Sequence, residues 1–331
     1  MNILYIGPYR QKNIIGIHSQ IVLLNLTNDK SNNITARPIY TDFSKPIVSD
    51  LHSDIVKLEK TKYDSYDNVI QHVPLNMACP IQSVKSNTII PVLSAKNLSD
   101  DDIVTLSKFD KILVDNKNDY NRLSLHKSLA SKVNTYEYSF NVNIGPEASI
   151  DLGIFNYSNK LYFIGEYSEN LTNISNLCKS FVSNISIEDT VLIIFLLYPG
   201  NNEVQELENH IREIYSTNKP SNIINRIVTI PIDTEVQHLA VVHKVCDTFI
   251  SLQDDNSNYI NVKLSQSHNS SNISFDTSDY SFSFDRNKKF DQNGYFGPSE
   301  SSVNEKLKKY FKFKTTSEIV PFKKTPINKL I

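Results

Sequence analysis

The chain has 331 residues, 40% of them hydrophobic and 21% charged, a composition that can bury a sizeable core and excludes a wholly disordered protein. Its length points to two domains of about 150 residues each. The 34 basic and 36 acidic side chains leave a formal net charge of -2, too little positive field for a dedicated duplex-DNA binder.

In chain order, Asn2 to Ile6 (NILYI) is a short apolar run closed by Gly7-Pro8, the pattern of a buried parallel strand. IGIHSQIVLLNLT comes next, with Ile17, Ile21, Leu24 and Val22 at helical spacing. ITARPIY (34–40) and YDNVIQHV (66–73) read as the second and third strands, with a polar helix-like segment near 50–62 between them. NTIIPVLS and FDKILVD add two more. NVNIGPEASIDLGIFNYSN then reads as a connection between domains. The alternation restarts with LYFIGEY, the helix NISNLCKSFVSNI, TVLIIFLLY, a long helix from about Glu203 to Ser216, IVTIPI, EVQHLAVVHKV and DTFISLQ. Strands alternating with amphipathic segments argue for two Rossmann-like α/β halves with mainly parallel sheets. The expected domains are 1–145, a linker over 146–160, and 161–331. The stretch beyond about Asn256 reads as polar and irregular, ending in a terminal helix, SSVNEKLKKYFKF.

Cys79, Cys178 and Cys246 are widely spaced and odd in number, which fits neither a disulfide framework nor a metal knuckle; they read as reduced core thiols. MNILYIGPYR lacks a charged leader with a long apolar run, and no stretch of about 18 apolar residues occurs, so a cytoplasmic location without a membrane span is expected.

In the first strand-to-helix turn, Gly7 and Gly16 can let backbone amides and a helix start receive an anion, with Arg10 and Lys12 as candidate counter-charges; a turn glycine and a helix-start glycine are an equal alternative. His72 ends the third expected strand, where ligands of open α/β sheets gather, and suits a base or a hydroxyl-orienting group; a satisfied structural histidine is the blander reading. His18, near the first helix start, faces the same region. His238 and His243 are five apart, a spacing that does not align two metal ligands, and no metal site is expected. No GxSxG elbow or GxGxxG fingerprint occurs, so hydrolase and nicotinamide chemistry have no support.

Taken in order, NILYIGPYR with GIHSQ, YDNVIQHVP, FDKILV, LYFIGEY and LAVVHKVCDTFISL resemble retaining GT-B glycosyltransferases, particularly bacteriophage-type members, over roughly residues 1–255. The resemblance implies two facing Rossmann-like domains, an acceptor such as a glycan on the first, and a nucleotide sugar as donor substrate on the second, with no covalent cofactor. Family members follow the strand matching LYFIGEY with an Arg and a Lys that hold the donor diphosphate. Here that stretch is SENLTNISN, without a cation. Two glutamates separated by seven residues are normal after the strand matching DTFISL; ungapped counting lands on Asn256 and Leu264, and a shift of one gives Asp255 and Lys263. One expectation is therefore a glycosyltransferase with a rearranged donor site: His72 orients the acceptor, Glu166 or Asp255 contacts sugar hydroxyls, and Gly7, Gly16, Arg10, Lys12, Asp255, Asn256 and Lys263 line the donor region. The other is a catalytically inactive descendant that binds a protein partner or a glycan.

Overall fold

The computed structural model describes residues 1–41, 47–48, 51–93, 98–137, 157–185, 190–218, 226–232, 236–252, 261–262, 265, 270–273, 280–283, 295–313 and 325–331. The chain divides into two compact units, Met1–Asn143 with Asp255–Ser257 and Val320–Ile331, and Ile144–Asp254 with Asn258–Ile319. The expected connection over 146–160 falls mostly outside the described residues, and the final dozen residues belong to the first unit, whereas the sequence pattern predicts one domain over 161–331.

The first unit is a parallel α/β layer. Its strands are β1 (Asn2–Gly7), β2 (Asn33–Pro38), β3 (Asn68–Pro74), β4 (Ser86–Val92), β5 (Lys111–Val114) and β6 (Val133–Glu137). Its helices are α1 (Ile14–Leu26), α2 (Ser53–Lys60), α3 (Asp100–Ser107) and α4 (Lys117–Ser124). Paired in the order β6-β5-β4-β3-β1-β2, all strands are parallel. Ile3 and Tyr5 of β1 are fully buried, as are Val69 and Ile70 of β3, which is why these strands read as unbroken apolar runs. Helix α1 has no wet face: Ile14, Ile17, Ile21, Val22, Leu23 and Leu26 are buried along with His18, Ser19, Gln20 and Asn25, so the one-sided spacing expected from its sequence understates its burial. A two-residue strand near the chain end, Thr325–Pro326, pairs parallel to β6 beside Tyr136, and Lys111 Nζ donates to the Leu330 carbonyl at 2.8 Å.

The second unit repeats the scheme with β7 (Asn159–Gly165), α5 (Tyr167–Asn184), β8 (Thr190–Leu197), α6 (Glu203–Asn218), β9 (Ile227–Ile232), α7 (Val236–Val245) and β10 (Thr248–Ile250). A short β11 (Ser271–Ile273) completes the parallel order β11-β10-β7-β8-β9. β12 (Tyr280–Ser283) and β13 (Tyr295–Pro298) form an antiparallel pair, so the expected irregular region contains short strands, held by ladder bonds that its polar sequence does not announce. The terminal helix, α8 (Glu300–Phe313), is present. Its Val303, Leu307 and Tyr310 join Leu177, Cys178 and Phe181 of α5 and Leu192 and Ile194 of β8 in one apolar core.

In both sheets the first strand is flanked by the second on one side and by a later strand on the other, β3 beside β1 and β10 beside β7. Such a switch point opens a crevice beyond the carboxyl ends of the strands, where ligands of this architecture bind.

Candidate functional site

The β1–α1 connection occupies the switch point of the first unit. Gln11 N–H donates to the Pro8 carbonyl at 2.8 Å, folding the loop back over the helix start. Asn13, with extended backbone (φ -153, ψ 172), caps α1 by accepting from the Gly16 amide at 2.8 Å. A Cβ on Gly16 would collide with the Gln11 carbonyl oxygen and stand 3.1 Å from that of Pro8, so the residue is glycine because backbone runs against backbone. At Gly7 the obstacle is side chains: a Cβ there would lie 2.6 Å from Ser19 Oγ and 2.9 Å from a ring carbon of Tyr5.

The candidate cation Arg10 is committed to α2, with Nε and Nη2 on the two Glu59 oxygens at 2.6 and 2.5 Å. That bidentate bond holds the Glu59 carboxyl below its usual range against the opposing effect of partial burial. Lys12 is half-buried in the same loop.

Behind the loop lies a polar cluster drawn from five elements. His72 (β3) is 1% exposed and its Nδ1 is 2.9 Å from the Tyr5 hydroxyl of β1. Tyr5 Oη is in turn 2.8 Å from Ser19 Oγ of α1 and donates to the Ser19 carbonyl at 3.2 Å. His18, one residue earlier on α1, meets His72 edge-to-face with ring centroids 4.9 Å apart. His18 Nε2 is 3.0 Å from the Tyr136 hydroxyl of β6 and 3.5 Å from Oδ2 of Asp115, the residue immediately after β5. His18, Asp115 and Tyr136 are 4%, 2% and 0% exposed. Burial, then the neighbouring His18, hold the His72 pKa well below the ordinary imidazole value, with Asp115 pulling weakly the other way. At 3.5 Å the Asp115 carboxylate is too long for a tight hydrogen bond but close enough to stabilise an imidazolium on His18.

The structure thus brings together His72 and His18, and adds Asp115 and Tyr136, which the sequence pattern does not single out. Asp115 ends FDKILVD immediately past a strand, and the rule that ligands gather at carboxyl ends points to it; Tyr136 comes from a strand with no clear apolar signature.

In the second unit the β7–α5 connection is a single residue, Glu166, extended (φ -86, ψ 144) and 6% exposed at the helix start. Tyr198, just after β8, has φ +47, a left-handed conformation uncommon for tyrosine, and its amide donates to the Ile232 carbonyl at 2.9 Å. Glu203 Oε2 accepts from the Gly200 amide at 2.8 Å, and Glu206 Oε2 accepts from the Tyr167 hydroxyl at 3.1 Å. Residues 165–167, 198–206 and 251–252, at the carboxyl ends of β7, β8 and β10, include no Lys or Arg. Asp255, Asn256 and Lys263 lie outside the described residues.

Of the three cysteines, Cys178 and Cys246 are buried, which pushes both thiols up to about 12. Cys79 is exposed, against the expectation of a core thiol: its backbone is what the fold uses, bonded both ways to the Gln71 amide, while the sulfur stays outside. Among the described residues no cluster of His, Cys, Asp and Glu could hold a metal ion, and no helix is long and apolar enough to cross a membrane.

No family model matches the chain, and no curated protein matches it in sequence. Solved structures do. S. aureus MnaA, in a co-structure with UDP, is similar with a TM-score of 0.55 and 13% identity, covering 95% of this chain and 88% of that one. The N-terminal domain of Candida albicans trehalose-6-phosphate phosphatase is similar with a TM-score of 0.52 and 12% identity, covering 82% of each chain. At this identity the likeness speaks for the fold: α/β, with parallel sheets in Rossmann-like units of the GT-B kind.

Proposed function

We propose that the protein transfers a sugar from a nucleotide-sugar donor to an acceptor hydroxyl, with His18 as general base and Asp115 as the group that stabilises it. The observation that carries this reading is the buried His18–Asp115 pair beside His72 at the switch point of the first unit. The likeness to a protein solved with UDP supports the donor class.

A sugar hydroxyl is a poor nucleophile until its proton is taken as it attacks, and a positioned imidazole contributes about 10²–10⁴-fold to that step. In the proposed step the acceptor oxygen bonds to the anomeric carbon, and the bond from that carbon to the donor phosphate oxygen breaks. The electron pair leaves with the nucleoside diphosphate, and the acceptor proton passes to His18, which returns it to solvent. Asp115 stabilises the imidazolium that forms. A base serving one displacement gives inversion at the anomeric carbon, in contrast to the retaining outcome that the sequence resemblance implies. Incubation with UDP-, GDP- and ADP-sugars and a panel of hydroxyl acceptors tests the reading: nucleotide release that falls at least about 100-fold in His18→Gln supports it, and release untouched by that substitution removes His18 from the chemistry.

The second reading, a catalytically inactive binding protein, is favoured by the side chains around the two switch points. Arg10 is already held by Glu59, and the described residues immediately after β7, β8 and β10 offer Glu166, Glu203 and Glu206 but no Lys or Arg. It predicts no heat of binding with UDP or UDP-sugars in calorimetry, with stability unaffected by either.

A further inference from the structure

We infer that His18 and His72 bind protons as one unit with room for a single charge, carried by His18, so that His72 is a positioning residue that remains neutral and fixes the state of its neighbour. The inference deepens the reading of His18 as base, but its test does not need turnover.

The geometry separates the two rings. His18 has a carboxylate oxygen of Asp115 at 3.5 Å and the Tyr136 hydroxyl at 3.0 Å, so a proton on Nε2 meets a negative charge and an acceptor. His72 has the Tyr5 hydroxyl at 2.9 Å, itself tied to Ser19 at 2.8 Å, and these neutral groups stabilise a neutral ring as well as a charged one. From β4 its register partner is Ile90, which brings no titratable group. Among the described residues, the titratable and hydroxyl groups seen against the pair are Tyr5 from β1, Ser19 from α1, Asp115 after β5 and Tyr136 from β6. With the centroids 4.9 Å apart and both rings at most 4% exposed, a second positive charge would face the first with little water to screen it. One carboxylate balances one imidazolium, and the proton settles where that carboxylate is.

For the transfer step this leaves His18 as the only ring of the pair to change charge. The protein then has one acid limb from this site, not two.

The test is a histidine-ring NMR titration of the full chain between pH 5 and 8, with the eight histidines assigned by single substitutions. In the unsubstituted protein the His18 resonance is expected to titrate while His72 stays neutral throughout. In His18→Gln, with the competing charge gone, the apparent His72 pKa is expected to rise by about one unit or more, a tenfold gain in proton affinity. Independent titration of both rings in the unsubstituted protein, or a His72 midpoint that does not move in His18→Gln, overturns the inference. Asp115→Asn gives a second arm if His18→Gln fails to fold: the His18 midpoint should fall by about one unit or more, and an unchanged midpoint also overturns it. A failed transfer assay leaves this titration standing, and a failed titration leaves transfer to be judged on turnover.

Discussion

The two units begin with nearly the same phrase, NILYIG in one and KLYFIG in the other, and put different things behind it. In each, a tyrosine of the first strand is buried against a histidine: Tyr5 with His72 at 2.9 Å and Tyr162 with His243 at 2.6 Å. Around Tyr162 the fold gathers rings, with Phe195 and Phe249 centroids at 6.3 and 5.3 Å, so that pair is part of an aromatic core. Around Tyr5 it gathers Ser19, His18, Asp115 and Tyr136. Buried polar groups stabilise a fold less well than apolar ones of similar size, so a unit that keeps six of them in contact points to chemistry, whereas its twin points to packing.

The connections differ in the same sense. The β1–α1 loop is six residues folded over a capped helix start, whereas β7 reaches α5 through Glu166 alone. The difference teaches that one strand order can serve as a packed support or as the floor of a site, depending on the residues placed beyond its carboxyl ends.

Substitutions can break that contrast, beginning with the most damaging. Phe181→Ala removes a fully buried ring from the α5–β8–α8 core and should cost about 3–5 kcal/mol in denaturant unfolding, while leaving the histidine cluster intact. Gly16→Ala forces a side chain into the Gln11 carbonyl and should cost about 3 kcal/mol, because the obstacle is backbone and cannot turn aside. In the second unit, Gly200→Ala in the turn between β8 and α6 meets nothing closer than 3.5 Å and should stay within about 0.5 kcal/mol.

Between these extremes lies the pH response. The folded pKa of His72 is depressed, so below its unfolded value the unfolded chain binds the extra proton. Its stabilising contribution is complete above about pH 6.5 and is lost as pH falls toward the folded value, by at most about 1.4 kcal/mol per pH unit. Urea midpoints measured from pH 7.5 down to 5 should show that slope, and His72→Gln should flatten it. Tyr310→Phe is a gentler change, removing a hydroxyl that bonds Asn159 at 3.0 Å and Thr248 at 3.2 Å, and should cost about 1 kcal/mol.

Much of the scaffold can be read from the chain because parallel strands buried on both faces leave unbroken apolar runs, as in TVLIIFLL. The short polar elements are harder. DDDIVTLS forms α3 through the reciprocal bonds of Ser99 and Asp102 at its start, and KNDYNRLS forms α4 under the cap of Asn116, with little hydrophobic pattern in either. VNTYE becomes β6 because Val133 and Tyr136 meet the core while the residues between them do not. For the site, His72 is legible from its place at a strand end. Its neighbour His18's pairing with Asp115 and Tyr136 is not, since those partners lie 97 and 118 positions further along the sequence than His18 and only the sheet order makes them neighbours. Gly7 and Gly16 invite an anion-site reading, and what a Cβ would strike gives each a packing reason to be glycine as well.

The central claim is that the His18–Asp115 pair takes a proton during sugar transfer. Steady-state nucleotide release by the unsubstituted protein, His18→Gln and Asp115→Asn, each checked for an unchanged unfolding midpoint at pH 7.5, tests it most directly. The account predicts release with at least one nucleotide sugar and a fall in kcat of about 100-fold or more for His18→Gln, with a smaller fall for Asp115→Asn. Release that proceeds equally well in all three proteins would contradict it.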